Sequence, residues 1–128
     1  MPKVVHSPDC GHSPKNQFLQ DLAIARWTCD RQALDRMMTD DIAWNVIGGE
    51  KLFGKETVLD AVANRKLGVI AKLTIVHVSQ HGKVGAVNGW LKFRTGAMID
   101  FCDICEFASV KGTSVSSVTS YEIKSAGK

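Results

Sequence analysis

The chain has 128 residues, of which 45% are hydrophobic and 23% charged, a composition typical of one globular domain that buries its own core. The formal net charge of +3 is spread along the sequence, and no Lys/Arg cluster is interleaved with aromatic residues, so we expect no nucleic-acid partner. No apolar run approaches the ~18 residues of a membrane span, and the first residues lack the apolar centre of a secretory signal. We therefore expect a cytoplasmic protein that does not contact membranes.

The first 14 residues are rich in His, Ser, Pro and Gly and show no periodicity. They are predicted to form an N-terminal arm, 1–14, before a single domain, 15–128. His6, Cys10 and His12 are residue types that bind metal, but no fourth ligand has matching spacing, so no metal and no cofactor are expected. The role of the arm stays open.

Helical periodicity begins at Lys15 and continues to Met38. One apolar stripe is formed by Phe18, Leu22, Ala25 and Cys29, and a second by Leu34, Met37 and Met38. Asp30 is predicted to start the second of two helices, because an Asp side chain accepts hydrogen bonds from the amides of a first turn. A third helix is predicted from about Lys55 to Leu67.

Strands dominate the rest of the chain. Ile42, Trp44 and Val46 alternate as one face of a strand, and glycines at 48, 49 and 54 supply turns before the third helix. Four strands separated by tight turns follow Ala71: Leu73–Ser79, Val84–Arg94, Met98–Ala108 and Val115–Ile123. Helices first and an antiparallel meander last predict an α+β domain, with a bent sheet wrapped around the N-terminal helices.

This order of elements carries the motifs Asp40-Asp41-Xaa-Xaa-Trp44 and Gly54-Xaa-Glu56-Xaa-Val58, and its last strand contains Val118-Thr-Ser-Tyr-Glu-Ile123. In these features the chain resembles the nuclear transport factor 2-like superfamily, and within it the SnoaL-like polyketide cyclase and ketosteroid isomerase branch. The resemblance covers roughly Asn16 to Ile123. It implies a cone-shaped α+β barrel with an interior pocket for a small, mostly apolar molecule, and a homodimer that packs sheet on sheet.

The resemblance also implies site residues. Asp103 falls on the acid that steroid isomerases keep protonated, but their tyrosine falls on Leu22 and their general base on Val46. That mechanism is therefore excluded. Epoxide hydrolases of the superfamily use an Arg-Xaa-Asp pair, which this sequence lacks. Polyketide cyclases place an acid/base carboxylate on the last strand, where Glu122 shares a predicted inward face with Ser120.

Alternation along the third strand of the meander places Asp103 between apolar neighbours. One face holds Phe101, Asp103, Cys105 and Phe107, and the other Asp100, Cys102, Ile104 and Glu106. A carboxylate in such surroundings is either protonated or paired. We expect a raised pKa and a neutral hydrogen-bond donor, so that Asp103→Asn leaves folding at neutral pH nearly unchanged or slightly improved. The alternative is a structural carboxylate that accepts bonds from its neighbours.

Trp44 and Trp90 are suited to lining a pocket, because each combines a large apolar ring with one donor. Only one face of the strand from Val84 to Arg94 can point inward, and we favour the one that carries Asn88 and Trp90. The predicted ligand-binding residues are Trp44, Val46, Leu22, Asn88, Trp90, Phe101 and Ser120, and the predicted catalytic residues are Asp103 and Glu122.

Three functions are compatible with these residues. The first is binding of a small, largely apolar molecule in an interior pocket without catalysis. The second is an acid/base enzyme of isomerase, cyclase or lyase type that acts on a carbonyl-bearing substrate, with Asp103 as donor. The third is a dimeric interaction module without a ligand. The sequence leaves open whether any reaction is catalysed.

Overall fold

The computed structural model describes residues 2–125, which form three helices and seven strands. The helices are α1 Pro14–Thr28, α2 Arg31–Met37 and α3 Lys55–Asn64. The strands are β1 Lys3–Val5, β2 Met38–Val46, β3 Lys51–Phe53, β4 Ile70–His81, β5 Val84–Phe93, β6 Met98–Phe107 and β7 Val115–Ser125. The outermost residues of the predicted arm and domain, 1 and 126–128, lie outside the described residues.

The seven strands form one mixed sheet in the order β1-β4-β5-β6-β7-β2-β3. Strands β4 to β7 make the predicted antiparallel meander. The sheet is mixed because β1 pairs with β4, and β2 with β7, in parallel. The sheet is not closed, and the three helices pack with it as the α+β cone that the sequence predicts.

Two short strands depart from the predicted organisation. Residues 3–5, assigned to an irregular arm, form β1 at one edge of the sheet, where Val4 pairs with Leu73. Residues 51–53, expected in a turn region, form β3 at the other edge, where Leu52 pairs with Trp44. Strands of three residues contain too little alternation for a periodic pattern to reveal them.

Helix α1 begins at an ordinary cap, since the Ser13 side chain accepts a hydrogen bond from the Asn16 amide. Asp30 caps α2 by accepting from the Ala33 amide, as predicted. The predicted stripe of α1 is confirmed in part, since Leu22 and Ala25 are buried and Phe18 is half-buried, whereas Cys29 is exposed. The buried part of the helix is wider than predicted and also contains Leu19, Gln20, Ala23, Arg26 and Trp27. This wider buried band includes Arg26, which the prediction left outside the interior.

The face assignment of β6 is confirmed. Phe101, Asp103, Cys105 and Phe107 are buried, and their neighbours on the other face are half-buried or exposed. The inward side chains of the sheet pack with those of α1 and α3 in one hydrophobic core. No helix within residues 2–125 has the length and apolar character needed to cross a membrane.

Candidate functional site

A buried arginine organises the interior between α1 and the sheet. The Arg26 Nε and Nη2 atoms donate to the two carboxylate oxygens of Asp103, each at 2.8 Å. Its Nη1 donates to Glu122 at 3.0 Å. The side chains of Arg26 and Asp103 are 5% and 3% exposed, so this bidentate pair is shielded from water and geometrically fixed.

A second arginine completes the group. Arg65, which directly follows α3, donates from Nη1 to Glu122 Oε2 at 2.9 Å and from Nη2 to Glu122 Oε1. Glu122 therefore lies between two guanidinium groups. We call Arg26, Arg65, Asp103 and Glu122 the charge cluster. Its two positive and two negative groups balance, which is the condition under which charges are tolerated in an interior.

Aromatic rings contact the two arginines of the cluster. The guanidinium carbon of Arg26 lies 4.0 Å from the centre of the Trp27 ring, and that of Arg65 lies 5.0 Å from it. Cations at these distances are attracted to the face of an indole ring. Trp27 in turn packs on Phe101, with 5.4 Å between ring centres. The rings hold both arginines in fixed orientations.

The ionic contacts outweigh the effect of burial on two members of the cluster. Burial by itself would lower the pKa of Arg26, but attraction to Asp103 and Glu122 raises it above the usual value. Burial by itself would raise the pKa of Glu122, but hydrogen bonds from Arg65 and the charges of both arginines lower it. Both groups are charged at neutral pH.

Beside the cluster lies a cavity of about 480 Å³. Its walls come from the end of α1, from β2, β3 and the turn between them, and from α3 and the segment that follows it. Its apolar lining includes Trp44, Val46, Leu52, Val58, Val62 and Leu67. Its polar lining consists of Arg26, Cys29, Glu50, Asn64 and Arg65. The cavity thus combines an apolar body with two guanidinium groups.

Two of the seven predicted ligand-binding residues line this cavity, namely Trp44 and Val46. Leu22, Phe101 and Ser120 are buried in the interior, but they are not among the described residues that form its wall. Ser120 contributes to the cavity through Trp44, because its hydroxyl accepts a 2.9 Å hydrogen bond from the Trp44 indole. This bond fixes the ring that forms part of the wall.

The prediction for β5 is wrong. The buried face of this strand carries Gly85, Val87, Gly89, Leu91 and Phe93. Asn88 and Trp90 lie on the opposite face, where Trp90 pairs with Asp100 across the sheet and Val87 pairs with the inward Asp103. Alternation alone gave two equivalent faces, and the choice between them required the register with β6.

The predicted donor role of Asp103 also needs correction. Both of its carboxylate oxygens accept hydrogen bonds from Arg26, and Arg is protonated at all ordinary pH values. Asp103 is therefore an ionised acceptor, which is the paired alternative that burial allowed. Glu122 does point inward with Ser120, as predicted, but its oxygens are occupied by Arg26 and Arg65.

The two arginines were missed by the sequence interpretation. Arg26 lies four residues after Leu22 and seven after Leu19, a spacing that places all three on one face of a helix. That signal could have revealed a buried cation in need of a carboxylate partner. Arg65 has no comparable signal, because it follows the last turn of α3 and reaches the cluster only through the fold.

Comparison with solved structures places the fold among proteins of known architecture. A proposed ketosteroid isomerase from Kribbella flavida matches with a TM-score of 0.72 and 16% identity, over 87% of this chain and 78% of that one. A proposed SnoaL-like polyketide cyclase from Shewanella denitrificans matches with a TM-score of 0.70 and 12% identity, over 88% of this chain and 92% of that one. An LEH-like epoxide hydrolase from M. tuberculosis matches with a TM-score of 0.66 and 13% identity, over 85% of this chain and 82% of that one.

These similarities define the fold. The chain has the α+β cone fold of the nuclear transport factor 2-like superfamily, which includes SnoaL-like and ketosteroid isomerase-like proteins. No protein-family model matches the sequence, and a comparison with curated proteins also finds no match. At these levels of identity the shared fold does not carry a reaction with it.

Proposed function

We propose that this protein binds a small, largely apolar molecule in the cavity beside the charge cluster. The observation that carries the proposal is the cavity itself, a concave space of about 480 Å³ whose lining includes Trp44, Leu52 and Val58. Small-molecule sites are concave and mostly apolar, with a few fixed polar groups that orient the ligand.

The structural neighbours support a small-molecule site at the level of the fold. Three of them are described as a proposed ketosteroid isomerase, a proposed SnoaL-like polyketide cyclase and an epoxide hydrolase, and each of these activities acts on a small organic molecule. Their chemistries differ, so the shared property is an interior that admits such a molecule. The proposal for this chain uses only that property.

Acid/base catalysis on a carbonyl-bearing substrate is the second candidate, and the two interior carboxylates favour it. A general base must come within about 3 Å of the proton that it removes. Asp103 and Glu122 instead bond to guanidinium groups, and neither is among the described residues that line the cavity. Binding without proton transfer therefore has the stronger support.

A matched pair of substitutions on α3 tests the binding proposal. Ala61 lines the cavity, whereas Ala63, two residues later, is exposed. Ala61→Phe should fill part of the cavity and weaken binding of the probe 4-phenylbutan-2-one by about tenfold or more, a change of about 1.4 kcal/mol. Ala63→Phe adds the same group to the surface and should leave the affinity unchanged.

Dissociation constants from isothermal titration calorimetry or protein-observed NMR distinguish the outcomes. Binding to the wild type and to Ala63→Phe, with loss in Ala61→Phe, supports the proposal. Equal affinity in all three proteins would move the site elsewhere. Failure of the wild type to bind this probe and other apolar molecules of its size at about millimolar concentration would favour the third candidate, an interaction module without a ligand.

A further inference from the structure

The polar end of the cavity offers donors and few acceptors. Arg26 and Arg65 line the cavity, whereas their carboxylate partners Asp103 and Glu122 do not belong to the described lining. Although the charges of the cluster balance, its positive groups reach the cavity wall and its negative groups do not. Glu50 is the carboxylate among the described lining residues, and it is exposed, so water screens its repulsion.

The number of free donors discriminates between ligand head groups. A guanidinium has five N–H donors. Within the cluster, Arg26 donates three hydrogen bonds and Arg65 donates two. The donors that remain on the two side chains exceed the two lone pairs of a single carbonyl oxygen. A carboxylate has about four acceptor positions and carries a charge opposite to that of both arginines.

We infer that the ligand is a small apolar molecule with one carboxylate group, which Arg65 and Arg26 bind while the body lies against Trp44, Leu52 and Val58. This inference rests on the proposed function and names the class of molecule that the same site takes. Arg65 is the main specificity-determining residue, because its side chain is 31% exposed and it donates to one carboxylate of the cluster, whereas Arg26 donates to both.

A series of probes with one body and different head groups tests the inference. The probes are 3-phenylpropanoate, 4-phenylbutan-2-one and 3-phenylpropan-1-amine, which present an anion, a neutral carbonyl and a cation at the same distance from the ring. At neutral pH the carboxylate should bind about tenfold or more tightly than the ketone, and the amine most weakly. Added salt should weaken the carboxylate complex and leave the ketone complex nearly unchanged.

Two substitutions with opposite expected effects separate recognition from folding. Arg65→Gln should reduce the affinity for 3-phenylpropanoate to about that for the ketone, a loss of about tenfold, and should weaken ketone binding much less. Glu122→Gln removes the charge that competes for both arginines, so it should strengthen carboxylate binding. General damage to the fold would weaken every probe in both variants. Arg31→Gln is the control, because Arg31 pairs with Glu56 on the surface.

The outcomes distinguish this inference from the proposed function. Binding of the ketone as tightly as the carboxylate, or equal losses for both probes in Arg65→Gln, would overturn the inference and leave a general apolar site in place. If none of the three probes bound the wild type, the inference and the proposed function would both be wrong. A carboxylate preference that disappears in Arg65→Gln and persists in Arg31→Gln would support it.

Discussion

At the scale of single residues, the interior is organised by ion pairs rather than by a neutral acid. Asp103 is 2% exposed, and a charge at that depth is tolerated only with a partner. Arg26 provides this partner through two parallel hydrogen bonds of 2.8 Å. The pair is a structural element of the site, and it places the Arg26 guanidinium at the cavity wall.

The ion pair changes the expected effect of the conservative substitution at this position. Asp103→Asn should lower the free energy of unfolding at neutral pH by about 3–5 kcal/mol, because it leaves a buried guanidinium without one of its two carboxylates. Asp40→Asn, at a side chain that is fully exposed, should leave the free energy of unfolding nearly unchanged. Denaturant unfolding measures both, and equal stability of Asp103→Asn and the wild type would contradict the pairing.

Glu122 should make stability depend on pH in a defined direction. Its pKa in the folded protein lies below the ordinary value of 4.5, so the native state favours the ionised form. The resulting stability is fully present above about 4.5 and is lost as the pH falls through the lower folded pKa. The stability difference between the wild type and Glu122→Gln should therefore be largest near neutral pH and shrink in acid.

Thermal unfolding as a function of pH provides the measurement. Glu56→Gln is the control for loss of one acidic group, since the Glu56 side chain on α3 is 75% exposed. A constant difference between the wild type and Glu122→Gln from neutral to acidic pH would show that the carboxylate does not titrate as a member of the cluster.

At the scale of elements, the long strands could be predicted from the sequence and the inward face of β5 could not. The ends of β5, β6 and β7 fall within two residues of the predicted ones, because tight turns and sustained alternation mark them. The orientation of a face depends on pairing with another strand. The buried part of α1 is wider than the predicted stripe for a similar reason, since the neighbouring elements decide how much of a helix is covered.

Gly89 on β5 allows the backbone of β4 to approach closely, because it has no Cβ atom. A Cβ atom there would lie 2.1 Å from the Thr74 carbonyl oxygen and 3.1 Å from the Phe101 ring, beside the register shift between Ile75 and His77. Gly89→Ala should lower the free energy of unfolding by about 1–3 kcal/mol through overpacking. In Gly68→Ala the nearest atom is 3.8 Å away, so thermal unfolding should show little change, and similar losses for both would contradict the steric explanation.

At the scale of the whole molecule, the cone fold could be predicted because the order of helices and strands can be read along the sequence, and this order is typical of the fold. The cavity wall was only partly predictable, because Arg65 and Leu67 join it from beyond the end of α3. The parallel pairing of β2 with β7 joins residues that are about 75 positions apart, such as Ala43 and Ser117. No local pattern reports such a contact.

The outer face of the sheet leads to a prediction about assembly. Tyr121 and Ile123 on β7 are 46% and 70% exposed, and the neighbouring Cys102 and Ile104 are half-buried on the same face. Exposed apolar surface of this kind favours association, so we expect a homodimer that packs sheet on sheet. Light scattering should find a dimer at micromolar concentration in the wild type and a monomer in Ile104→Asp.

The control for assembly is Val110→Asp, since Val110 is 64% exposed in the turn after β6, away from the outer face of the sheet. This variant should remain a dimer. A monomeric wild type, or a dimer that survives Ile104→Asp, would contradict an interface on this face.

The most direct measurement of the binding proposal is a crystal structure of the wild type grown with 3-phenylpropanoate. We predict density for the ring between Trp44, Leu52 and Val58, with the carboxylate within hydrogen-bonding distance of Arg65. Density in the cavity with the carboxylate directed away from Arg65 would contradict the head-group assignment alone. A cavity closed by rearranged side chains, with the probe bound elsewhere or not at all, would contradict the central claim.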